Sequence, residues 1–511
     1  MLVIGDLSRL NAQRYPHKPA LVMGEESVTY AQLDARSNQL AHALLVAGIG
    51  AGERVAILSH NRLEYAVVLQ AVAKCGAMIV PLNFRFGAAE IGQVLSDAEP
   101  AMLFLEPEFE AAAREAIAAL ARPPALVLLA PGGDDSLAAL MADRPATAPE
   151  VAVDPDSAAM VLYTSGTTGR PKGVLFSHAK FFRMFAATAI ETRLVHEDVY
   201  LIAVPLFHTA GMNMALNQAL FMGATGIVHR GRFDPATIFA LIQRHRVTLA
   251  ILVPTTVGLL AHHPDVPSYD LSSLNKIFYG SMPIAPQVLD KALRVFGGVR
   301  FNQIYGSTEC GMVGILRAED HVRHSQTTGR EALLTACRII GQDGAEVPVG
   351  EIGEVVVEQS RMGMMAYWRN DAATAETIRG GWIYSGDLAR VEEQGFFTLV
   401  DRIKDVINSG GENIYPKEIE TLIATHPAVR EVAVFGIPDE RYGETVCAAL
   451  ALHAGMTATA GEIEEFCAEH LARFKRPRRI EFHDALPRNA SDKIMKTALR
   501  APHWQGRSRM I

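Results

Sequence analysis

Residues able to grip a polyphosphate stand together at Tyr163-Thr164-Ser165-Gly166-Thr167-Thr168-Gly169-Arg170-Pro171-Lys172-Gly173. Thr164, Ser165, Thr167 and Thr168 offer hydroxyl donors, and Lys172 adds a positive charge. Gly166, Gly169 and Gly173 permit backbone conformations that a Cβ forbids, so successive amide N–H groups can turn toward one anion. The competing reading is a Gly/Ser/Thr surface turn. Such a turn rarely follows a buried strand, and the apolar run Ala158-Ala-Met-Val-Leu-Tyr163 predicts one. A GxxxxGK[ST] phosphate loop is excluded. Gly166 and Lys172 have its spacing, but Pro171 replaces its second glycine and Gly173 its Ser or Thr.

A second group, Tyr305-Gly306-Ser307-Thr308-Glu309, puts hydroxyls and a carboxylate after a predicted strand. Magnesium on a nucleotide takes oxygen ligands, so Glu309, with Thr164 of the loop, is the candidate metal contact. Thr308 is a candidate donor to the α-phosphate. A solvated turn glutamate would be the better reading of Glu309 if the loop at 163–173 were absent.

The loop resembles the phosphate loop of the adenylate-forming superfamily: acyl-CoA synthetases, luciferases and peptide-synthetase adenylation domains. The resemblance extends over nearly the whole chain, because Tyr305–Glu309, Trp382-Ile-Tyr-Ser-Gly-Asp387 and Pro487-Arg-Asn-Ala-Ser-Asp492-Lys493 match its later motifs in order. It implies ATP, Mg2+ and CoA as ligands. Gly280, Ser281 and Met282, with Tyr305, Gly306 and Ser307, would line the nucleotide. Asp387 would accept from the ribose hydroxyls, a pairing that a charged oxygen makes strongly. Arg402 would support ribose or phosphate, where the bland alternative is a surface ion pair. Lys493 would bridge the attacking carboxylate and the α-phosphate, stabilising transition-state charge. Asp492 and Ser385 depart from the family's usual Gly and Thr, and Lys496 is the next candidate after Lys493.

The same resemblance places a hinge at Lys404, where a few residues absorb a domain rotation. Gly410 and Gly411 would wall a pantetheine tunnel. Phe474, Arg476 and Arg478, with Tyr442, would hold the nucleotide end of CoA; a solvated charge run is the alternative there. Phe207, His208 and Met212 would line the acyl pocket, with His208 at its junction with the thiol tunnel or else a core histidine. From Val199 to Phe233 there is no Asp or Glu. A buried ammonium needs a charged partner, so an apolar, non-amino acid is the expected substrate: aryl, alicyclic or medium-chain.

The implied reaction is acyl-AMP formation with release of pyrophosphate, then transfer to the CoA thiol with release of AMP. The alternative is a stand-alone adenylating enzyme that loads an acyl carrier protein. A binding or scaffold protein without activity is disfavoured, because every phosphate-handling position is filled.

The 511 residues are too many for one small core and predict two or three domains. Lys and Arg number 48 against 56 Asp and Glu, a net charge of −8. That argues against a general nucleic-acid or membrane-surface binder. The five cysteines, Cys75, Cys310, Cys337, Cys447 and Cys467, lack CxxC spacing. They read as a reduced cytoplasmic chain with no zinc site. No signal peptide, membrane span or fused carrier domain is expected, and a homodimer is left open.

The elements that must position these residues alternate. Thr29-Tyr-Ala-Gln32 is a capping box opening a helix that stops at Gly48. Strands at 54–58, 77–81, 101–105 and 125–129 alternate with helices at 64–74, 90–98 and 108–120, which indicates an α/β sheet. Residues 131–150 read as an exposed connection. Further strands are predicted at 199–204, 225–228, 249–253, 276–279 and 300–303, with the motifs at their carboxyl ends, where α/β sheets gather ligands. From Cys337 short β runs and tight turns predict a small antiparallel unit. The expected division is a large α/β domain with this small β unit at 1–401, a hinge at 402–404, and a small mobile α+β domain at 405–511.

Overall fold

A computed structural model describes residues 2–164, 171–282, 284–488 and 494–505. By packing, the chain divides into two compact units: Met1–Cys337 with Val357–Tyr384, and Arg338–Val356 with Ser385–Ile511. Of the predicted small β unit, Arg338–Val356 and the residues from Ser385 therefore pack with the C-terminal stretch, and Val357–Tyr384 packs with the larger unit.

The larger unit holds two sheets. In the first, strands run in the order Ala366–Tyr367, Lys172–Ser177, Ala158–Thr164, Met78–Leu82, Arg54–Leu58, Met102–Leu105, Ala125–Leu128. The last five are parallel, with antiparallel Lys172–Ser177 beside them. Helices Ala88–Ala98 and Glu110–Ile117 bury Val94, Leu95 and Ala113 against this sheet. In the second, Arg300–Ser307, Lys276–Gly280, Leu249–Leu252, Val199–Ile202, Thr225–Val228 and Pro19–Met23 are neighbours and parallel. Helices Pro235–His245 and Pro254–Ala261 close its core around Phe239 and Phe301. Continuous apolar strands covered by helices are what a buried parallel sheet requires.

The capping box at Thr29 is formed in both directions. Four expectations need correction. The strand expected at 300–303 continues to Ser307, because Gly311–Leu316 returns beside it as a hairpin. Tyr305, Gly306 and Ser307 thus lie within the strand, not beyond its end. Residues 131–150 contain a short helix, Leu137–Met141, capped by the Ser136 hydroxyl. The helix expected at 108–120 ends at Ile117. In the smaller unit the strands expected at 429–434 and 447–452 extend to Val429–Asp439 and Gly443–Leu452, since each completes the other's ladder.

The smaller unit contains a β ladder, Asp387–Val391 with Phe397–Arg402, and a five-stranded sheet. Parallel to Gly443–Leu452 in that sheet runs Arg479–Phe482. One face of the sheet buries Ile419, Ile423, Val434 and Leu450; the other buries Phe435, Cys447, Leu486 and Leu499.

Candidate active site

In the larger unit Thr164 and Lys172 face each other in antiparallel register, so the stretch between them begins and ends on paired strands. Ser165, Gly166, Thr167, Thr168 and Gly169 lie outside the described residues. Gly173 is required by packing: a Cβ there would stand 2.7 Å from Val161 Cγ1 and 3.2 Å from Trp368 Cβ. The Trp368 amide donates to the Gly173 carbonyl (2.7 Å), which ties the strand after the loop to Ala366–Tyr367.

That tie places Tyr367. The Lys172 ammonium stands 5.1 Å from the centre of the Tyr367 ring, within cation–π range. The Tyr367 hydroxyl donates to Glu309 Oε1 at 3.1 Å. One ring thus joins the loop lysine to the acidic residue of the second motif. Burial first, then the Glu309 charge, pushes the Tyr367 phenol pKa up, so it stays a donor at neutral pH. Sequence reading did not single out Tyr367; only its place after a helix-free Gly/Met run in 362–366 marked it, and that is a weak signal.

Thr308 and Glu309 sit in the turn between Arg300–Ser307 and Gly311–Leu316. The Ser307 hydroxyl accepts from the Cys310 amide (3.0 Å), and the Glu309 carbonyl from the Met364 amide (2.7 Å). A Cβ on Gly306 would stand 2.0 Å from the Gly311 carbonyl oxygen, so this turn closes only over glycine. Gly280 ends its strand against the Ile304 carbonyl, Ser281 adopts φ +68° and is exposed, and Met282 is half-buried. Thr164 and Glu309 offer only oxygen donors, which suits a hard divalent cation.

Val199–Ile202 leads to Phe207 and His208, then a π-helix, Ala210–Asn217. Such helices often mark functional sites. Asn61 fastens the approach: its Oδ1 accepts from the Leu206 amide (2.8 Å), and its Nδ2 donates to the Val204 and His229 carbonyls (3.1 and 3.2 Å). His208 Nδ1 accepts from the Ala210 amide (3.4 Å), so a neutral ring carries its proton on Nε2. Phe207 meets Phe84 edge-on at 5.2 Å, and Phe84 in turn packs on His60 at 4.3 Å. Met212 is fully buried, whereas Met214 is only half-buried. Asn61 and Phe84 were not anticipated; both follow strands more than 120 residues ahead of Phe207, beyond the reach of local pattern.

In the smaller unit Asp387 and Arg402 are direct cross-strand partners, and Arg402 Nε donates to Asp387 Oδ1 at 3.0 Å. Asp387 is buried; its amide donates to the Ser385 hydroxyl (3.0 Å), which donates to the Val355 carbonyl (2.6 Å). Ser385 thus ties the Asp387 backbone to the neighbouring strand. Lys404 occupies a single 3-10 turn, Ile403–Asp405. Burial lowers its pKa, and Asp405 partly restores it.

Gly410 and Gly411, at φ +62° and +88°, join Ile407–Ser409 to Glu412–Ile414. Two left-handed residues make the tight hairpin turn that glycine favours. The Gly410 amide donates to the Tyr442 carbonyl (2.7 Å), and the Arg478 guanidinium lies 4.4 Å from the Tyr442 ring centre. Gly410, Tyr442 and Arg478 are thus brought together. Arg476 is directed elsewhere: it donates to the Leu471 and Ala468 carbonyls (2.9 and 3.0 Å) at the end of helix Ala460–His470. Phe474 is exposed. Lys493 lies outside the described residues. Arg488 and Ile494 pair across it, and the Met495 amide donates to the Pro487 carbonyl (2.7 Å). Lys496 is held by Glu420 at 2.7 Å.

Comparison with known proteins shows the family. The family model described as AMP-binding enzyme matches residues 9–368, and that of the AMP-binding enzyme C-terminal domain matches 418–493. The chain is 38% identical to a feruloyl-CoA synthase of an Amycolatopsis species, over 96% of both chains. It is 37% identical to a fatty acid–[acyl-carrier-protein] ligase of Streptomyces coeruleorubidus, over 98% of this chain and 96% of that one. The structure of an anthranilate CoA ligase in complex with anthranoyl-AMP superposes with a TM-score of 0.90 at 25% identity, covering 98% and 97% of the two chains. The protein therefore belongs to the AMP-binding enzymes and is an AMP-forming acid–thiol ligase of the acyl-CoA synthetase kind, acting with ATP, Mg2+ and CoA.

Proposed function

We propose that this ligase activates an apolar, non-amino carboxylic acid and delivers it to free CoA. A carboxylate is a poor acyl donor. Its oxygen attacks the α-phosphorus of ATP, pyrophosphate leaves, and the acid becomes an acyl-adenylate. The CoA sulfur, its thiol proton released to solvent, then attacks the acyl carbon, and AMP leaves with the electron pair of the broken C–O bond.

The observation that carries the residue roles is the Lys172–Tyr367–Glu309 chain, which holds a cation and a carboxylate on one ring. On this proposal Lys172 and the hydroxyls of 164–168 hold the phosphates, and Thr308 donates to the α-phosphate. Glu309 and Thr164 would hold Mg2+, which when bound neutralises phosphate charge. Asp387, braced by Arg402, takes the ribose. Lys493 stabilises charge on the attacking and phosphate oxygens. Lys404 is the hinge between the half-reactions. Gly410, Gly411, Tyr442 and Arg478 form the CoA surface; the engagement of Arg476 with helix carbonyls makes it a support for that surface.

Two observations support the substrate class. The Phe207 wall is backed by Phe84, His60 and Phe109. A buried carboxylate in contact with this cluster, Glu106, is already committed. Its Oε1 accepts from the Ser59 hydroxyl (2.9 Å) and His60 amide (2.7 Å), and its Oε2 faces Arg230 (2.8 Å) and Arg62 (3.4 Å). An amino-acid ammonium would compete with two guanidinium groups for it. The relative named for feruloyl-CoA favours an aryl acid, and the carrier-protein ligase keeps a carrier protein as the alternative acceptor. Pyrophosphate release with aryl, alicyclic, medium-chain and amino acids tests the class. Aryl or medium-chain acids are expected to give the highest kcat/KM; an amino acid in that place refutes it. Thioester yield with free CoA against an acyl carrier protein decides the acceptor.

A further inference from the structure

On the Phe435 face of the smaller unit's sheet, three metal-binding side chains converge from distant parts of the chain. Cys447 stands opposite Arg479 in the parallel register, and Glu481 lies two residues further along the same strand, on the same face. The turn Ala501–Trp504 crosses this face. It is anchored by the Trp504 indole, which donates to the Gly436 carbonyl (3.1 Å), and by the His503 ring, 6.0 Å from that of Phe435. One ligand atom each from Cys447, Glu481 and His503 lies within 4.8 Å of the others. His503 Nε2 is already 3.4 Å from Glu481 Oε1. His483, the residue just after that strand, has Nε2 4.0 Å from the other Glu481 oxygen. That nitrogen is shielded from water and has no hydrogen-bond partner.

We propose that Cys447, Glu481 and His503, with His483 as fourth ligand, form a binding site for a borderline divalent metal of the zinc class. A thiolate, imidazoles and a carboxylate are the ligands such an ion takes, whereas magnesium takes oxygen alone. The site is therefore chemically separate from the magnesium of the ATP reaction. Tetrahedral zinc, with bonds of about 2.0–2.3 Å, sets its ligands roughly 3.3–3.8 Å apart, so Cys447, Glu481 and His503 close by about an ångström, while His483, which stands outside their 4.8 Å group, moves further. The present occupant of Glu481 Oε1 is Arg479 Nε at 2.6 Å, on a side chain that is 57% exposed. An exposed pair of this kind yields easily. Binding sends the thiol proton to solvent and puts the metal in its place. The bound ion ties the 501–504 turn to two strands of the sheet.

The test is a Co2+ titration of the full-length, chelator-treated protein without nucleotide, with Zn2+ as competitor. A single equivalent is expected to give a thiolate-to-cobalt charge-transfer band that Zn2+ abolishes. Loss of a partner that merely orients a ligand costs about 10–100-fold in affinity, so loss of a ligand should cost at least that much. Cys447→Ser should remove the band, and His503→Ala should weaken binding by roughly 10-fold or more. Arg479→Ala should tighten it, because Glu481 is released. Absence of the band in the wild-type protein, or its persistence in Cys447→Ser, overturns the proposal. Should Cys447→Ser fail to fold, unchanged Co2+ affinity in His503→Ala overturns it equally.

Discussion

Tyr367 shows how one side chain can join two motifs that lie more than a hundred residues apart. Its ring lies under the Lys172 ammonium and its hydroxyl holds Glu309. Phenylalanine would keep the ring and remove only the hydroxyl bond. A hydrogen bond to a charged group is worth about 1.5–3 kcal/mol, so Tyr367→Phe should lower kcat/KM for pyrophosphate release by roughly 10–100-fold. A higher Mg2+ requirement should accompany the loss. The check is ATP–pyrophosphate exchange against Mg2+ concentration, with unfolding midpoints as the control for fold. A wild-type exchange rate would mean that Glu309 is held without Tyr367. Lys493 belongs to the same scale. Lys493→Ala should abolish adenylation while thioester formation from supplied acyl-adenylate persists, because its charge is used only in the first half-reaction. Equal loss of both half-reactions in a folded variant would remove that assignment.

Among the elements, the helix His178–Thr192 starts on a residue that makes stability depend on pH. His178 is fully buried. Its Nδ1 accepts from the Ile4 amide (3.3 Å), while its Nε2 has no partner. A protonated ring would set donor against donor. Burial lowers the pKa from its ordinary 6.5 to about 4. The unfolded chain thus takes the proton first, so stability is complete above pH 6.5 and is lost as pH falls through about 4. The loss amounts to about 3 kcal/mol. His178→Asn keeps an acceptor for Ile4 and cannot titrate. Urea midpoints measured from pH 7 to 4 should fall less steeply in that variant; parallel slopes would show that other groups carry the acid sensitivity.

For the whole molecule, the two half-reactions make different demands on one chain, and the proposed hinge meets them by rotation at Lys404. Lys404 sits in a 3-10 turn, whose φ is close to the value that proline imposes. Lys404→Pro should therefore fix the backbone at this turn and impede rotation, with the unfolding midpoint as the control for fold. One half-reaction should fall selectively, measured by pyrophosphate release and by thioester formation from supplied acyl-adenylate. Wild-type rates in both would move the hinge elsewhere. No helix of the described residues is long and apolar enough to cross a membrane.

The sequence alone determined the family, the α/β class and the order of the motifs, because each motif is a local arrangement of glycines, hydroxyls and charges. Periodicity located most strands and helices for the same reason: burial of one face repeats over a few residues. Strand lengths were less legible. Val429–Asp439 and Gly443–Leu452 outrun their apolar cores because each supplies the other's hydrogen bonds. Tertiary structure decided which side chains meet. Asn61 and Phe84 reach Phe207, Tyr367 bridges Lys172 and Glu309, and Arg476 turns to helix carbonyls. The five cysteines carry no zinc spacing, yet Cys447 comes within reach of Glu481 and His503. Parallel pairing and a C-terminal turn bring them together, and neither leaves a mark in local spacing, since contacts between distant segments are set by how elements pack.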